Sequence, residues 1–359
     1  MISWEDIYKV VTAMAPLCVA LVLGYASVKW WHMFTPDQFH AINRFNCFFI
    51  IPFFNFKFIS HINPYKLNFL FLSADVVAKC IILIVLAIWA NCTRKGSYVW
   101  SITTFSLCSF NNTLIVGVPL LKAMYGDLGE DLVVQSSTIQ SLFWFIALLF
   151  MLELRREWST VDSNTINEEL QDSRIECGGD LDENSTPVTT TIKPPSFWSI
   201  LKIVWVKLAK NPNFYGCLAG LIWALLASRW QFHMPEIIEG SILIMSKAGA
   251  GVSMFSMGLF MASQNKFIAC GAKMTLYGLL LRFVIGPATV IIGSVACGLH
   301  GDVLRIAIIQ AALPQAIASF VYAQEYELHP DILSTAVIFG TIVSIPLLIA
   351  YYALLEVTH

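Results

Sequence analysis

The chain is cut into apolar blocks of about 20 residues, the length at which an α-helix crosses the hydrocarbon core of a bilayer. They fall near 8–28, 38–58, 68–90, 99–121 and 133–153, and again near 212–229, 237–262, 272–297, 303–323 and 333–355. Hydrocarbon offers the backbone no hydrogen-bond partner, so every such block has to be helical. The sequence therefore predicts an all-α polytopic membrane protein with ten transmembrane helices, and the lipid bilayer as its first partner. Composition agrees, with 57% hydrophobic and 13% charged residues. A net charge of -2 leaves no basic stripe and excludes nucleic acid as a partner. The first block follows Glu5, Asp6 and Lys9 and has full membrane length, so it is expected to be the first span rather than a cleaved signal.

The gap between the two sets of blocks divides the chain into a first five-helix repeat (1–154), a short loop (155–196) and a second five-helix repeat (197–359). The loop holds Glu168, Glu169, Asp172, Asp180, Asp182 and Glu183 among Ser, Thr, Asn and Pro, which cannot bury a core, and disorder is expected. At an offset of about 200 positions the halves answer one another. Lys29-Trp30 and Pro36-Asp37 match Arg229-Trp230 and Pro235-Glu236, Lys79 matches Arg282, and Leu152-Glu153 matches Leu355-Glu356. Phe110-Asn111-Asn112 matches Leu313-Pro314-Gln315. An odd number of spans per repeat inverts the second copy. Lys and Arg near the span ends place both termini outside the cytosol and the central loop inside it. The sequons at Asn91, Asn111 and Asn184 are then expected to carry no glycan.

Two adjacent amides inside a span cost several kcal/mol unless they are paired or line a cavity. Asn111 and Asn112 either cap a kinked helix or mark a functional break. The second break favours the latter, because Pro314 removes a backbone bond and disfavours helix at Leu313. Inverted repeats cross two such interrupted helices at the midplane and aim their half-helix N-termini into one cavity, which suits an anion. Asn112 and Gln315 can offer neutral donors to a carboxylate, and Gln140, beside Trp144 and Phe145, another. Ile51, Pro52, Phe53, Phe54 and Asn55, with Ala316, Ile317 and Ala318, supply apolar surroundings. Asp75 and Lys79, four apart on one helix face, are either a self-compensating ion pair or a protonation switch. The matching position near Gly278 is not acidic. Gly249, Gly251 and Gly258 are expected to permit close helix packing. Cys18, Cys47, Cys80, Cys108, Cys217, Cys270 and Cys297 lie in or beside apolar runs and read as buried small hydrophobes. No catalytic or metal-ligating spacing is present, so neither an enzyme nor a cofactor is expected.

The blocks Gly24 to Trp31, Phe34 to Gln38, Asn112-Thr113-Leu114, Tyr125-Gly126, Asn211-Pro212-Asn213, Met257 to Ala262 and Gln310 to Gln315 resemble the PIN-FORMED auxin efflux carriers of plants. The likeness covers nearly all of both repeats, and the short loop resembles the endoplasmic-reticulum subclass. The resemblance implies a homodimeric elevator carrier with a fold like the sodium/bile-acid symporters, exporting indole-3-acetate from the cytosol without sodium. Spans 1, 2, 6 and 7 would form the scaffold, and spans 3–5 and 8–10 the transport part. It sets Asn112 against the auxin carboxylate with Gln140 nearby, and Ile51 and Ile317 against the indole. Asn55, Leu114, Phe145, Pro314 and Gln315 would lie around the pocket, and Asp75 with Lys79 in a supporting polar site. Family members usually carry proline at Asn111, serine at Asn55 and tyrosine at Phe145. A sodium- or proton-coupled symporter of another organic anion and an auxin-binding receptor remain as alternative readings.

Overall fold

The computed structural model describes residues 4–156, 158, 197–263 and 270–357, all helices and short connections. The expected loop and the sequon at Asn184 lie outside the described residues. The first half runs α1 (Trp4–Lys29), α2 (Pro36–Phe45), α3 (Ile51–Ser60), α4 (Phe69–Cys92), α5 (Tyr98–Ser109) and α6 (Val118–Ile139). The last continues through a π turn, Gln140–Trp144, as helix to residue 156. The second half runs α7 (Phe197–Leu208), α8 (Pro212–Trp230), α9 (Glu236–Lys247), α10 (Gly249–Ser263), α11 (Ala272–Leu280), α12 (Gly286–Ala296), α13 (Gly301–Ala311), α14 (Ile317–Glu325) and α15 (Pro330–Val357).

Local chemistry fixes many of these boundaries. Asn68 caps α4 by accepting from the Phe71 N–H at 3.0 Å, and Asn211 caps α8 by accepting from the Asn213 N–H at 3.0 Å. Pro36 and Pro212 stand in first turns, where a missing N–H costs nothing, while Pro52 and Pro119 follow directly on the π turns Asn46–Ile50 and Thr113–Gly117. Gly126 takes φ 64°, ψ -145° and folds the stretch from Thr113 to Arg156 into two pieces. Sequence reading left α7 out, because its apolar run is only 12 residues long and carries Lys202 and Lys207.

Among the described residues, five helices are long and apolar enough to cross a membrane, and a sixth if Pro330–Ser344 and Pro346–Glu356, bent by 54°, form one span. The count falls short of the ten expected spans partly because α5, α13 and α14, with 12, 11 and 9 residues, are cut short at the two breaks; the helices over the expected spans 38–58 and 212–229 are not in the set either.

Packing pairs the halves. α1 lies on α10, α3 on α8, and α4 on α12. In the expected span numbering these are 1 with 7, 2 with 6, and 3 with 8, a set that maps onto itself when the repeats are exchanged. Glycines set the distance of approach. A Cβ on Gly258 would stand 2.1 Å from the Leu21 carbonyl oxygen, one on Gly216 2.5 Å from that of Pro52, and one on Gly293 2.7 Å from that of Ala74. Gly249 is likewise closed, by the Phe54 ring at 2.3 Å, whereas Gly251 faces open space and is not a packing position. Cys108 and Cys217 are buried as expected, but Cys80 is exposed, since an apolar side chain that faces lipid needs no protein cover.

Candidate functional site

The two breaks meet. α5 ends at Ser109 and α13 at Ala311, and beyond them Asn111 and Gln315 form one antiparallel bridge. The Asn112 N–H donates to the Pro314 carbonyl at 2.9 Å, and the Ala316 N–H to that of Phe110 at 3.0 Å. Each unwound strand thus supplies the partners that hydrocarbon denies the other. Helix resumes at Thr113 on one side and Ile317 on the other, and the first N–H groups of each half-helix have no acceptor within it.

Gln140 braces the first strand. Its carboxamide accepts from the Asn111 N–H at 3.1 Å and donates to the Asn111 carbonyl at 2.7 Å. The π turn beginning at Gln140 sits where it can reach the break, as such turns do at functional positions. Gln315 is similarly committed, its NH2 donating to the Ser106 carbonyl at 3.0 Å and the Ser319 hydroxyl at 2.6 Å. The expectation that Gln140 and Gln315 offer free donors therefore differs from the geometry, in which both serve the backbone and neighbouring side chains. Asn112 differs from them, being 6% exposed with its Nδ2 unpartnered among the described residues.

Arg282 is the residue whose role sequence reading missed. The repeat matches it to Lys79, yet it is 0% exposed at the crossing. Its guanidinium donates to the carbonyls of Leu313 (2.7 Å), Ala311 (2.9 Å), Leu107 (3.2 Å) and Phe110 (3.4 Å) and to the Asn111 Oδ1. Those carbonyls are the C-terminal ends of both broken helices, where the dipoles place negative charge. All five donors of the fork are used, an arrangement a lysine cannot reproduce. Asn111 also donates from Nδ2 to the Gln310 carbonyl at 3.0 Å, so this unusual residue ties the two breaks together.

Lys79 Nζ lies 2.8 Å from Asp75 Oδ2, both buried, and 5.1 Å from the centre of the Trp144 ring. A small cavity beside them, lined by Phe71, Asp75, Asn111, Val290, Ala307, Gln310 and Ala311, has about 10 Å³ of room for a water centre, enough for about one molecule. Gln310 Oε1 is buried there without a partner. Asp75 neutralises Lys79, while Arg282 has no ion-pair partner among the described residues, which leaves this centre with a net positive charge.

The apolar candidates are spread around it. Phe145 stacks on Phe110, ring centres 4.7 Å apart at 24°, and meets Tyr322 edge-on at 5.8 Å. Leu114 is buried in the first turn after the break, Pro314 is buried within its strand, and Ile317 is half-buried at the start of α14. Ile51 is half-buried at the start of α3, and the Asn55 Nδ2 is given to the Asn213 Oδ1.

A family model described as membrane transport protein matches residues 9–352. The chain is 54% identical over 360 residues to auxin efflux carrier component 5 of Arabidopsis thaliana, covering 100% of both chains. It is 49% identical to probable auxin efflux carrier component 5a of Oryza sativa subsp. japonica, over 99% of each. Auxin efflux carrier component 8 of Arabidopsis thaliana is 40% identical, over 99% of this chain and 100% of its own.

Proposed function

From its membership of the membrane transport protein family, and within it of the auxin efflux carriers, we propose that the chain carries the indole-3-acetate anion out of the cytosol. It is a transporter and not an enzyme. The observation that carries the substrate reading is the free Nδ2 of buried Asn112, set where two half-helices begin and beside the net positive charge left by Arg282. A carboxylate there takes a hydrogen bond from Asn112 and from N–H groups that have no acceptor in their own helices, and it is favoured by both dipoles. Leu114, Ile317, Phe145 and Ile51 would form the slot for the indole, with Asn55, Gln140, Pro314 and Gln315 holding its walls. Asp75 and Lys79 support the crossing from one side, and the small cavity lined by Asp75 has room for about one water molecule.

The pairing of spans across the repeats supports a ten-span, inverted-repeat elevator, with spans 1, 2, 6 and 7 as scaffold and spans 3–5 and 8–10 moving against them. We place it as a homodimer in the endoplasmic reticulum membrane, central loop in the cytosol, on its resemblance to the short-loop carriers. Purified protein in liposomes tests the function. Radiolabelled indole-3-acetate should cross with no sodium or proton gradient imposed. Flux that needs a gradient would select a coupled symporter, and binding without flux a receptor. A fluorescent fusion with an organelle marker tests the compartment.

A further inference from the structure

A second polar cluster lies away from the crossing, at the seam between α7 and the end of the first repeat. Glu153 is in the last turns of the helix that reaches residue 156, and its side chain is 2% exposed. The Lys207 Nζ on α7 stands 2.5 Å from the Glu153 Oε1 and 3.2 Å from the Glu325 Oε1. The Tyr326 hydroxyl, just past α14, donates to Glu153 and accepts from the Lys207 Nζ at 2.5 Å. The same ammonium lies 4.2 Å from the centre of the Tyr326 ring. Nearby, the Asn211 Nδ2 donates to the Tyr322 hydroxyl at 3.3 Å. One lysine on the helix that leads into scaffold helix α8 thus grips two separate pieces of the transport part.

The repeat supplies an internal comparison. At the offset of about 200, Glu153 corresponds to Glu356 and Tyr326 to Tyr125. There the Arg305 Nη1 pairs with the Glu356 Oε1 at 3.1 Å and the Asp302 Oδ1 at 3.4 Å, and Tyr125 meets Tyr352 edge-on at 6.1 Å. Arg305 is on α13, within the transport part itself, so that cluster can travel as one body. In the Glu153 cluster the cation comes from across the seam. A carboxylate buried to this degree is strongly tied to its cation, because losing it leaves a charge without compensation.

Resting on the elevator reading, we propose that Lys207 with Glu153, Tyr326 and Glu325 is a one-sided latch. It holds the transport part against the scaffold at one end of its travel and opens in every cycle. Two arms test it in reconstituted full-length protein, both read as indole-3-acetate flux. In the first, Glu153→Cys and Lys207→Cys are combined on a cysteine-depleted background of confirmed activity and bridged with a short, reducible bis-thiosulfonate. Bridging should stop flux while substrate binding persists, and reduction should restore flux. Flux that continues through the bridge would mean that the two elements do not separate, which removes the elevator reading and the latch together. In the second arm, Lys207→Met and Glu153→Gln should each raise the initial rate threefold or more, and the double variant no further than either alone. If bridging stops flux but the two variants rise less than threefold over the parent, or run slower, the motion stands and the latch is overturned. Should either variant fail to fold, Tyr326→Phe, which removes the hydroxyl shared by Glu153 and Lys207 and leaves every charge in place, is read against the same threshold.

Discussion

Asn111 shows how much one side chain can do at a break. The family it resembles usually carries proline there, which would bring neither an N–H for Gln140 nor an amide for Arg282 and Gln310. In this chain the amide accepts from a buried cation, a bond worth about 1.5–3 kcal/mol, and ties the second break through the Gln310 carbonyl. Asn111→Ala should destabilise the purified protein by about that much, seen as a lowered thermal midpoint, while Asn111→Asp, an acceptor next to Arg282, should keep more of the stability. Asp75 is constrained differently. Asp75→Asn leaves Lys79 buried without its counter-charge, at a cost of about 3–5 kcal/mol, so stability should fall together with transport. Adding Lys79→Met removes the stranded charge. The double variant should regain stability in a melting assay yet stay impaired in flux; recovery of both would make the pair a structural one.

Elements meet where side chains are missing or where a cap holds. α1 and α10 cross at Gly24 and Gly258, so close that a Cβ on Gly258 would lie 2.1 Å from the Leu21 carbonyl oxygen. Backbone cannot yield as a flexible side chain can, and Gly258→Val should prevent recovery of folded protein, whereas Gly251→Val, in open space, should be tolerated. Size-exclusion profiles of the two variants check this. At the start of α15, His329 faces Thr103 Oγ1 at 2.9 Å and lies on Trp100, ring centres 4.3 Å apart. Burial, and then the Arg155 charge, hold its imidazole below the ordinary value of 6.5. The folded protein therefore binds fewer protons at this site than the unfolded chain, and stability is lost as pH falls from about 6.5 toward the lowered value, levelling off beneath it. Melting curves across that range should show a slope that disappears in His329→Gln.

At the scale of the molecule, the long apolar helices and both breaks, though not α7, were legible in the sequence because apolar run length, adjacent amides and proline are local signals. The pairing of α1 with α10 and α3 with α8 follows the repeat seen between Lys29-Trp30 and Arg229-Trp230. Arg282 was not legible. Its acceptors are mostly main-chain carbonyls from residues 107, 110, 311 and 313, and carbonyls leave no mark on a sequence. Gln140 and Gln315 looked like free donors for the same reason, since the backbone and hydroxyl groups that occupy them come into reach only when the breaks cross. Among the side-chain amide donors at the crossing, the one left without a partner among the described residues is the Asn112 Nδ2, beside a positive centre where the two breaks meet. The central claim is that this amide holds the substrate carboxylate. Initial flux of radiolabelled indole-3-acetate into liposomes, compared between the parent and a folded Asn112→Ala, tests it most directly. The account predicts a fall of tenfold or more, and a rate equal to that of the parent would contradict it.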